Sequence, residues 1–302
     1  MNLIKPKSLK SGDTITIVAP SGNTDMTKIL AGKKYFEDKG YKVKLGQNLN
    51  NTAAYLSATD EERLEDLHNA FCDSETNAII CARGGYGALR LINKIDYNVI
   101  KNNPKIFCGY SDITILNMMF LKKAGLITFS GPMIQGDFAQ SELNHFTECE
   151  FYDTLTKSYK EIISDNTVYY SDKQEADGIL IGGNLSTFAS LCGIDFVPDE
   201  KFIFFCEDLN EPVYKIDRYF TQLLNISQFR QNVSAICLGD FLGIEEEYIK
   251  DFDNLFKVIA HELDIPVVKG FKFSHTKEKT TVPYGSVSHL SNGALTAEDY
   301  LI

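Results

Sequence analysis

Apolar segments of strand length alternate with amphipathic segments of helix length along the first half of the chain, and this alternation constrains the fold more than any other feature. The strand-like runs are TITIVA at 14–19, AIICA at 78–82 and IFC at 106–108. Between them, apolar residues recur at helical spacing, as in Leu64 and Leu67 after a capping-box pattern at 59–62. Repeated β-α-β units with apolar strands predict an α/β protein whose parallel sheet is covered on both faces.

The length of the chain predicts two domains, and so does the end of the regular strand–helix alternation after residue 140. At roughly 150 residues per domain, 302 residues correspond to about two. Residues 141–175 are polar and weakly periodic, with some helix expected over 150–163. The elements expected after them are strands at 179–181, 202–206 and 233–238, a helix at 214–224, and short strands and turns from 266 onward. We therefore expect an N-terminal α/β domain (1–140), a crossover linker (141–175) and a C-terminal β-rich α/β domain (176–302).

Charge and composition exclude several classes of protein. Thirty Lys and Arg residues against 41 Asp and Glu residues give a net charge of −11, which argues against nucleic-acid binding and against docking on an anionic membrane. No stretch approaches the roughly 20 apolar residues that span a bilayer, and the basic N-terminus lacks the apolar core of a secretory signal. Seven cysteines without a C-x-x-C pair and five histidines without metal-ligand spacing predict reduced thiols, a cytoplasmic location and no zinc site.

The sharpest local motif is GYSDIT at 109–114, which follows an apolar strand and opens a helix. Such a turn can hold the Ser111 hydroxyl above the sheet edge, where N–H groups at the helix start would stabilise an oxyanion. Alternatively, Ser111 only caps the helix by accepting a hydrogen bond from Thr114. Because Ile113 occupies the place of the second glycine in G-x-S-x-G, the motif by itself leaves both roles open.

Two glycine turns follow apolar strands. ARGGYG at 82–87 lies where open α/β sheets place ligands, and its N–H groups could either face an anion or form a plain tight turn. This turn is not a dinucleotide motif, because it does not have the G-x-G-x-x-G spacing and no acidic residue follows at the required distance. We interpret the second turn, GGN at 182–184, as structural.

A serine nucleophile requires a base and an acid that orients the base. His275 ends a segment of alternating apolar residues and begins a polar loop, so it is either that base or an ordinary surface histidine. Glu207 follows the strongly apolar strand at 202–206, where an unpaired buried carboxylate would be costly. Glu207 could instead form an ion pair at the sheet edge, and Asp208 and Glu211 compete with it for a functional role.

Taken together, these segments resemble the serine LD-carboxypeptidases, the muramoyltetrapeptide carboxypeptidase family that also contains the microcin-immunity peptidases. The resemblance covers nearly the whole chain and lies in seven motifs that follow the family's order. They are IVAPSG (17–22), YLSATDEER (55–63), ARGGYG (82–87), GYSDIT (109–114), GGNL (182–185), ED (207–208) with IDR (216–218), and FSH (273–275). Each motif is weak alone, but their common order favours Ser111 as a nucleophile over Ser111 as a helix cap.

The resemblance implies a flavodoxin- or Rossmann-like N-terminal domain that carries Ser111 and a C-terminal domain that carries Glu207 and His275. Ser111 would be the nucleophile, His275 the base and Glu207 the acid that orients the base. The family usually has Gly-His-Gly at the last motif. Here Ser274 and Thr276 flank the histidine, so the sequence departs from the family pattern at this loop.

The resemblance also implies how a substrate would be held. The backbone N–H groups of Asp112 and Gly85 would face the oxyanion. The expected substrate-binding residues are Arg83, Gly84, Tyr110 and Arg218, of which Arg83 or Arg218 would either bind a terminal carboxylate or form a structural ion pair. We expect a cytoplasmic, cofactor-free homodimer that cleaves the L,D-peptide bond and so releases terminal D-Ala from murein tetrapeptides.

Three other functions stay open from the sequence. A microcin-immunity-type peptidase would act on peptidyl or aminoacyl adenylate analogues and is expected to stack the adenine on an aromatic side chain, commonly Trp; the absence of Trp from this chain favours the carboxypeptidase. A non-catalytic muropeptide- or nucleotide-binding protein could use the same scaffold. A phosphate-binding enzyme that uses the turn at 83–85 is a weaker alternative.

Overall fold

The computed structural model describes residues 1–273 and 275–302; Ser274, in the FSH motif, lies outside them. In the first half, the elements are β1 (Thr14–Val18), α1 (Met26–Asp38), β2 (Lys42–Leu45), α2 (Asp60–Cys72), β3 (Thr76–Cys81), α3 (Tyr97–Asn102), β4 (Ile106–Cys108), α4 (Thr114–Ala124) and β5 (Thr128–Ser130). Short 3₁₀ turns lie at Ala88–Arg90 and Ser111–Ile113, and a π-helical turn lies at Ile134–Phe138.

The second half contributes nine strands and five helices among the described residues. They are α5 (His145–Thr156), β6 (Tyr159–Ile163), β7 (Val168–Tyr169), β8 (Glu175–Asn184), α6 (Leu185–Ala189), β9 (Phe202–Leu209), α7 (Val213–Leu224), α8 (Ser227–Asn232), β10 (Val233–Leu242), α9 (Ile249–Leu263), β11 (Val267–Lys269), β12 (Val282–Tyr284), β13 (Val287–Ser291) and β14 (Ala294–Glu298). A 3₁₀ turn at Glu246–Tyr248 precedes α9.

The first sheet has the strand order β12-β5-β4-β3-β1-β2, in which β1 to β5 are all parallel. Read from the other edge, the parallel strands follow the flavodoxin order 2-1-3-4-5. This order confirms the predicted flavodoxin-like sheet. It also locates the ligand region, because such sheets bind ligands beyond the carboxyl ends of their strands, beside the switch point between β1 and β3.

Strand β3 shows why this sheet needs cover on both faces. Its side chains alternate, as those of any strand do, and all except the half-buried Asn77 are buried. Ile79 and Cys81 join one apolar core, while Ala78 and Ile80 join the other. The predicted two-sided burial is therefore confirmed.

The second sheet has the order β6-β14-β13-β8-β9-β10-β11-β7. Its central strands β8 to β11 are parallel, and antiparallel strands extend it on both sides. This mixed sheet confirms the predicted β-rich α/β architecture of the C-terminal half.

The structure corrects the expected helix over 150–163. Helix α5 ends at Thr156, and the following residues form edge strand β6, paired antiparallel with β14. Only Lys160 and Ile162 of this strand are buried, and Lys160 is neutralised there by Glu150, 2.6 Å away. A lysine on the buried face hides the alternation of apolar and polar residues that identifies a strand. The segment 141–175 contains one helix, α5, and the strands β6 and β7 of the second sheet.

Helix α4 joins the two sheets. Nine of its 11 residues are buried, because the helix contacts α3 and β5 of the first half and β8 and α6 of the second. A helix that is apolar almost all round belongs in an interior. Among the described residues, no helix combines the length and apolar composition needed to cross a bilayer.

Helix α2 begins with the predicted capping box, in which Thr59 and Glu62 bond each other's backbone N–H groups. The next residue, Asp60, is buried and pairs with Arg63 at 2.7 Å, Arg90 at 2.8 Å and Lys94 at 3.0 Å. Arg63 is 2% exposed and donates to the carbonyls of Pro20 and Gly87. This ion pair therefore fastens α2 to the loops that follow β1 and β3.

We predict that Asp60→Asn lowers the free energy of unfolding by about 3–5 kcal/mol, because it leaves the buried Arg63 cation without its partner. Hydrogen bonds from Arg90, Lys94 and Arg63 hold the pKa of the Asp60 carboxyl well below its usual range. The stabilisation is then complete above the unfolded-state pKa of about 4 and is lost as the pH falls below it.

Urea unfolding of the wild-type protein and of Asp60→Asn, near pH 7 and near pH 3, measures the difference in their free energies of unfolding. This difference should be smaller near pH 3. Asp38→Asn is the control, because Asp38 is exposed and pairs only at the surface with Lys34; it should cost less than about 0.5 kcal/mol. An equal decrease in the free energy of unfolding for Asp60→Asn and Asp38→Asn would contradict the role assigned to Asp60.

Candidate active site

Ser111 stands in a sharp turn between β4 and α4. Its φ is +62°, in the left-handed region that residues with a side chain rarely adopt. The loop after β3 packs directly on it: a Cβ atom on Gly84 would lie 2.8 Å from both Cβ and Oγ of Ser111. The strained conformation and the close approach of a glycine are the geometry of a serine presented at the top of a sheet.

The helix-capping alternative for Ser111 is wrong. Neither the 3₁₀ turn nor α4 has a side-chain cap, and the Thr114 N–H donates to the backbone carbonyls of Ser111 and Asp112. No hydrogen bond links Ser111 Oγ to any described residue. The half-buried hydroxyl is therefore available to a substrate and to a base.

Two backbone donors lie in the loops that meet at Ser111. Gly85, whose φ of +109° requires a glycine, directly follows the residue that packs on Ser111. Asp112 N lies 3.3 Å from the position of a Cβ on Gly84, so the two loops are in contact. Within the described part of the chain, no acceptor takes a hydrogen bond from the N–H of Gly85 or of Asp112. These are the two donors that the resemblance assigned to the oxyanion.

The carboxylate of Asp112 connects three loops. It is 4% exposed and accepts hydrogen bonds from Ser21 Oγ at 2.6 Å and from the Ala88 N–H at 2.9 Å. Burial raises the pKa of this carboxyl, and the two hydrogen bonds oppose the rise. The loops that follow β1, β3 and β4 are thus held together by one buried side chain, a role that the sequence motifs did not suggest.

Glu207, near the end of β9, holds His275. The distance from His275 Nδ1 to Glu207 Oε2 is 2.7 Å, and the carboxylate is 5% exposed. Burial raises the pKa of the Glu207 carboxyl, and the hydrogen bond with His275 opposes the rise. Because the carboxylate accepts from Nδ1–H, Nε2 is left as the acceptor nitrogen of a neutral imidazole.

The other acidic candidates are engaged elsewhere. Asp208 accepts from the Ser186 N–H at 2.7 Å at the start of α6, and Glu211 pairs with Lys215 at 3.2 Å. Asn184 bridges Glu207 and Asp208 through its amide nitrogen, at 3.3 and 2.9 Å. The GGN turn, interpreted from the sequence as structural, therefore also supplies a side chain to the carboxylates. In the described ranges, no three His, Cys, Asp or Glu side chains form a metal-binding group.

The residue before the serine contacts the histidine from the other sheet. The rings of Tyr110 and His275 meet edge to face with centroids 5.0 Å apart. On the same boundary, the Asn184 N–H donates to Thr114 Oγ1 at 3.2 Å. A cavity of about 20 Å³ lies between Tyr110, Asn184, Glu207 and Lys279. The structure thus places the Glu207–His275 pair of the second half against Tyr110, the residue that precedes Ser111 in the first half.

The two arginine candidates lie in different surroundings. Arg83 is half-buried, donates to the carbonyls of Gly84 at 3.2 Å and Asn23 at 3.1 Å, and has no carboxylate partner among the described residues. Arg218 is exposed on α7, 5.6 Å from the ring of Tyr214 on the same helix. Arg83 therefore lies beside the turn at Gly84 and Gly85, whereas no contact of the described residues connects Arg218 with Ser111.

Comparison with known proteins identifies the scaffold. Residues 15–131 match the family model described as the LD-carboxypeptidase N-terminal domain, and residues 177–290 match the LD-carboxypeptidase C-terminal domain. The chain is 33% identical to the probable murein peptide carboxypeptidase of Bacillus subtilis, over 97% of this chain and 93% of that protein.

Solved structures agree with these matches. The muramoyltetrapeptide carboxypeptidase from Oxalobacter formigenes superposes with a TM-score of 0.86 at 31% identity, covering 96% of this chain and all of that one. The microcin C7 self-immunity protein MccF, in complex with aspartyl sulfamoyl adenosine, superposes with a TM-score of 0.88 at 27% identity, covering 99% of this chain and all of that one. The chain belongs to the LD-carboxypeptidase family of serine peptidases, which includes the MccF microcin-immunity proteins.

Proposed function

We propose that this protein is a serine carboxypeptidase that hydrolyses the L,D-peptide bond of murein tetrapeptides and releases terminal D-Ala. One observation carries the proposal: the Glu207–His275 pair packs against Tyr110, next to a serine whose hydroxyl is free and whose backbone is held in the left-handed region. The murein peptide carboxypeptidase names of relatives at about 30% identity support the choice of substrate.

In the acylation step, Ser111 Oγ attacks the carbonyl carbon that precedes D-Ala. His275 Nε2 takes the hydroxyl proton, and Glu207 stabilises the resulting imidazolium through Nδ1–H. The carbonyl oxygen becomes an oxyanion facing the N–H groups of Asp112 and Gly85. When the tetrahedral intermediate collapses, the C–N bond breaks, the imidazolium gives its proton to the leaving amine, and D-Ala departs.

Deacylation repeats these steps with water. His275 removes a proton from a water molecule, whose oxygen attacks the ester carbonyl on Ser111. Collapse of the second intermediate returns the proton to Ser111 Oγ and frees the shortened peptide. The chain's own residues move every proton in this sequence, and the reaction consumes only water.

Arg83 is the better placed of the two arginines to bind the terminal carboxylate, because it lies beside the Gly84–Gly85 turn and has no carboxylate partner among the described residues. Gly84 and Tyr110 would line the same subsite, and Arg218 stays a weaker prediction. By family relationship, the proposal includes a cytoplasmic homodimer without a cofactor, acting on a muropeptide. The division at 1–140, 141–175 and 176–302 is proposed from the change in the sequence pattern after residue 140.

We predict that Ser111→Ala lowers kcat for D-Ala release about a thousandfold or more, because it removes the nucleophile. Chromatographic assay of D-Ala from a murein tetrapeptide measures the effect, and circular dichroism checks the fold. Ser171→Ala, at a half-buried serine whose hydroxyl donates only to the Lys173 carbonyl of its own loop, should keep wild-type kcat. Normal turnover by folded Ser111→Ala would refute the assigned nucleophile.

The same assay identifies the substrate class. Wild-type protein is incubated in parallel with the tetrapeptide and with a peptidyl sulfamoyl adenosine, and release of D-Ala is compared with release of the sulfamoyl nucleoside. The proposal expects faster D-Ala release. Turnover of the nucleoside alone would assign the protein to the microcin-immunity type instead.

We predict that Gly84→Ala lowers kcat by about 100-fold while the fold survives, because the new methyl group would displace Ser111 by a few tenths of an ångström or more. Gly84 does not have a positive φ, so the substitution causes no backbone strain that would complicate the result. Gly136→Ala is the matched control: its methyl group would meet only Tyr110 Oη, at an ordinary 3.5 Å. Similar kcat values for Gly84→Ala and Gly136→Ala would show that catalysis does not require the close contact between Gly84 and Ser111.

A further inference from the structure

The chain segment 275–284, here called the strap, belongs to both halves of the molecule. Just before it, the Phe273 carbonyl accepts from the Asp240 N–H of β10 at 3.2 Å, and its first residue, His275, bonds Glu207 of the second sheet. Its last three residues form β12, which pairs with β5 in the first sheet. The strap therefore carries the proposed base from one sheet to the sheet that presents Ser111.

Lys279, in the middle of the strap, has a buried ammonium group that the proposed mechanism does not use. It forms an ion pair with Asp137 of the π-helical turn, and both residues are 5% exposed. Asp137 is itself fixed, because its other oxygen accepts from the Met133 N–H at 2.9 Å. A buried ion pair adds little net stability compared with apolar side chains of the same size, so its retention favours a role in geometry.

The position of the ammonium group connects this pair to the catalytic residues. Lys279 Nζ lies 3.3 Å from Tyr110 Oη and 4.7 Å from the centre of the Tyr110 ring. That ring packs on the imidazole of His275, and the next residue in the chain is Ser111. Lys279 therefore touches a side chain that lies between the turn of Ser111 and the proposed base.

Helix α5 holds the same part of the strap. The backbone N–H of Lys279 donates to Thr147 Oγ1 at 3.0 Å, and this hydroxyl donates to the carbonyl of Lys277 at 2.7 Å. Farther along, Thr154 Oγ1 donates to the carbonyl of Thr281 at 3.2 Å. The backbone of the strap is thus fastened to α5, and Lys279 adds the only side-chain ion pair between the described strap residues and the first half of the chain.

We propose that Lys279 is a positioning residue. Through its contacts with Asp137 and Tyr110 it holds the loop of His275 against the turn of Ser111, so that the imidazole stays aligned with the serine hydroxyl. The inference rests on the proposed function. It assigns no substrate contact to Lys279. Its loss should therefore slow the chemical step and leave substrate binding nearly unchanged.

The test compares kcat and KM for D-Ala release among Lys279→Met, Lys279→Arg and the double variant Asp137→Leu/Lys279→Met. We expect Lys279→Met to lower kcat by about 10- to 100-fold with KM changed less than about threefold, as a misplacement near 1 Å would. Arginine, which keeps the cation, should recover most of the loss. The double variant removes the unpaired buried charge, so it should melt near the wild-type temperature yet keep the low kcat.

Lys160→Met is the matched control. Lys160 is also a buried lysine with a carboxylate partner. Its partner is the half-buried Glu150 of α5, 2.6 Å away, and Lys160 lies on strand β6 rather than on the strap. This variant should keep kcat within about twofold of wild type. If Lys160→Met and Lys279→Met lose kcat equally, Lys279 acts only through general stability and the proposal is overturned.

Wild-type kcat in the folded double variant would also overturn the proposal, because neither the ion pair nor the contact with Tyr110 would then matter. If the wild-type protein itself releases no D-Ala, the proposed function fails separately. The comparison is then made on the rate at which a fluorophosphonate labels Ser111, which needs the same alignment of base and nucleophile. Slower labelling of Lys279→Met than of Lys160→Met supports positioning, and equal rates refute it.

Discussion

The joint between the two sheets is the constraint on which the rest of this structure depends. Ser111 follows β4 of the first sheet, whereas Glu207 lies on β9 of the second, and neither sheet alone holds a complete set of reacting groups. Three features close the joint: helix α4 buried between the sheets, the bond from the Asn184 N–H to Thr114 Oγ1, and the pairing of β12 with β5. These contacts bring groups from distant parts of the chain to one boundary.

Within the first sheet, two buried side chains shape the mouth of the site. The carboxylate of Asp112 bonds the loops of Ser21 and Ala88, and the guanidinium of Arg63 bonds the carbonyls of Pro20 and Gly87. A non-glycine residue in the left-handed region costs about 1–3 kcal/mol, so the backbone of Ser111 needs such external support. The packing of Gly84 on the serine, combined with these bonds, supplies it and leaves the hydroxyl exposed to a ligand.

Local patterns are enough to predict the first sheet and the capping box of α2. They left the roles of Ser111, Glu207 and His275 open, and only the resemblance to a family singled these residues out. Local patterns do not predict the conformation of a segment that depends on partners far away in the chain. Strand β6 lies where the sequence predicts helix, because Lys160 is on its buried face and only Glu150 explains that burial. Strand β12 is three residues long, and nothing local indicates that it crosses to the first sheet. The Lys279–Asp137 pair joins residues 142 positions apart, so no motif could contain it.

The net charge of −11 does not favour the anionic muropeptide that we propose as substrate, so any attraction must be local to the site. The half-buried Arg83, without a carboxylate partner among the described residues, is the cation that can provide it. The measurement that tests the proposed mechanism most directly is a crystal structure of Ser111→Ala bound to a murein tetrapeptide. The mechanism predicts the carbonyl carbon before D-Ala within about 3.5 Å of the position that Ser111 Oγ occupies in the wild-type protein, with its oxygen toward the N–H groups of Asp112 and Gly85. A tetrapeptide bound with that carbonyl away from residue 111 would contradict it.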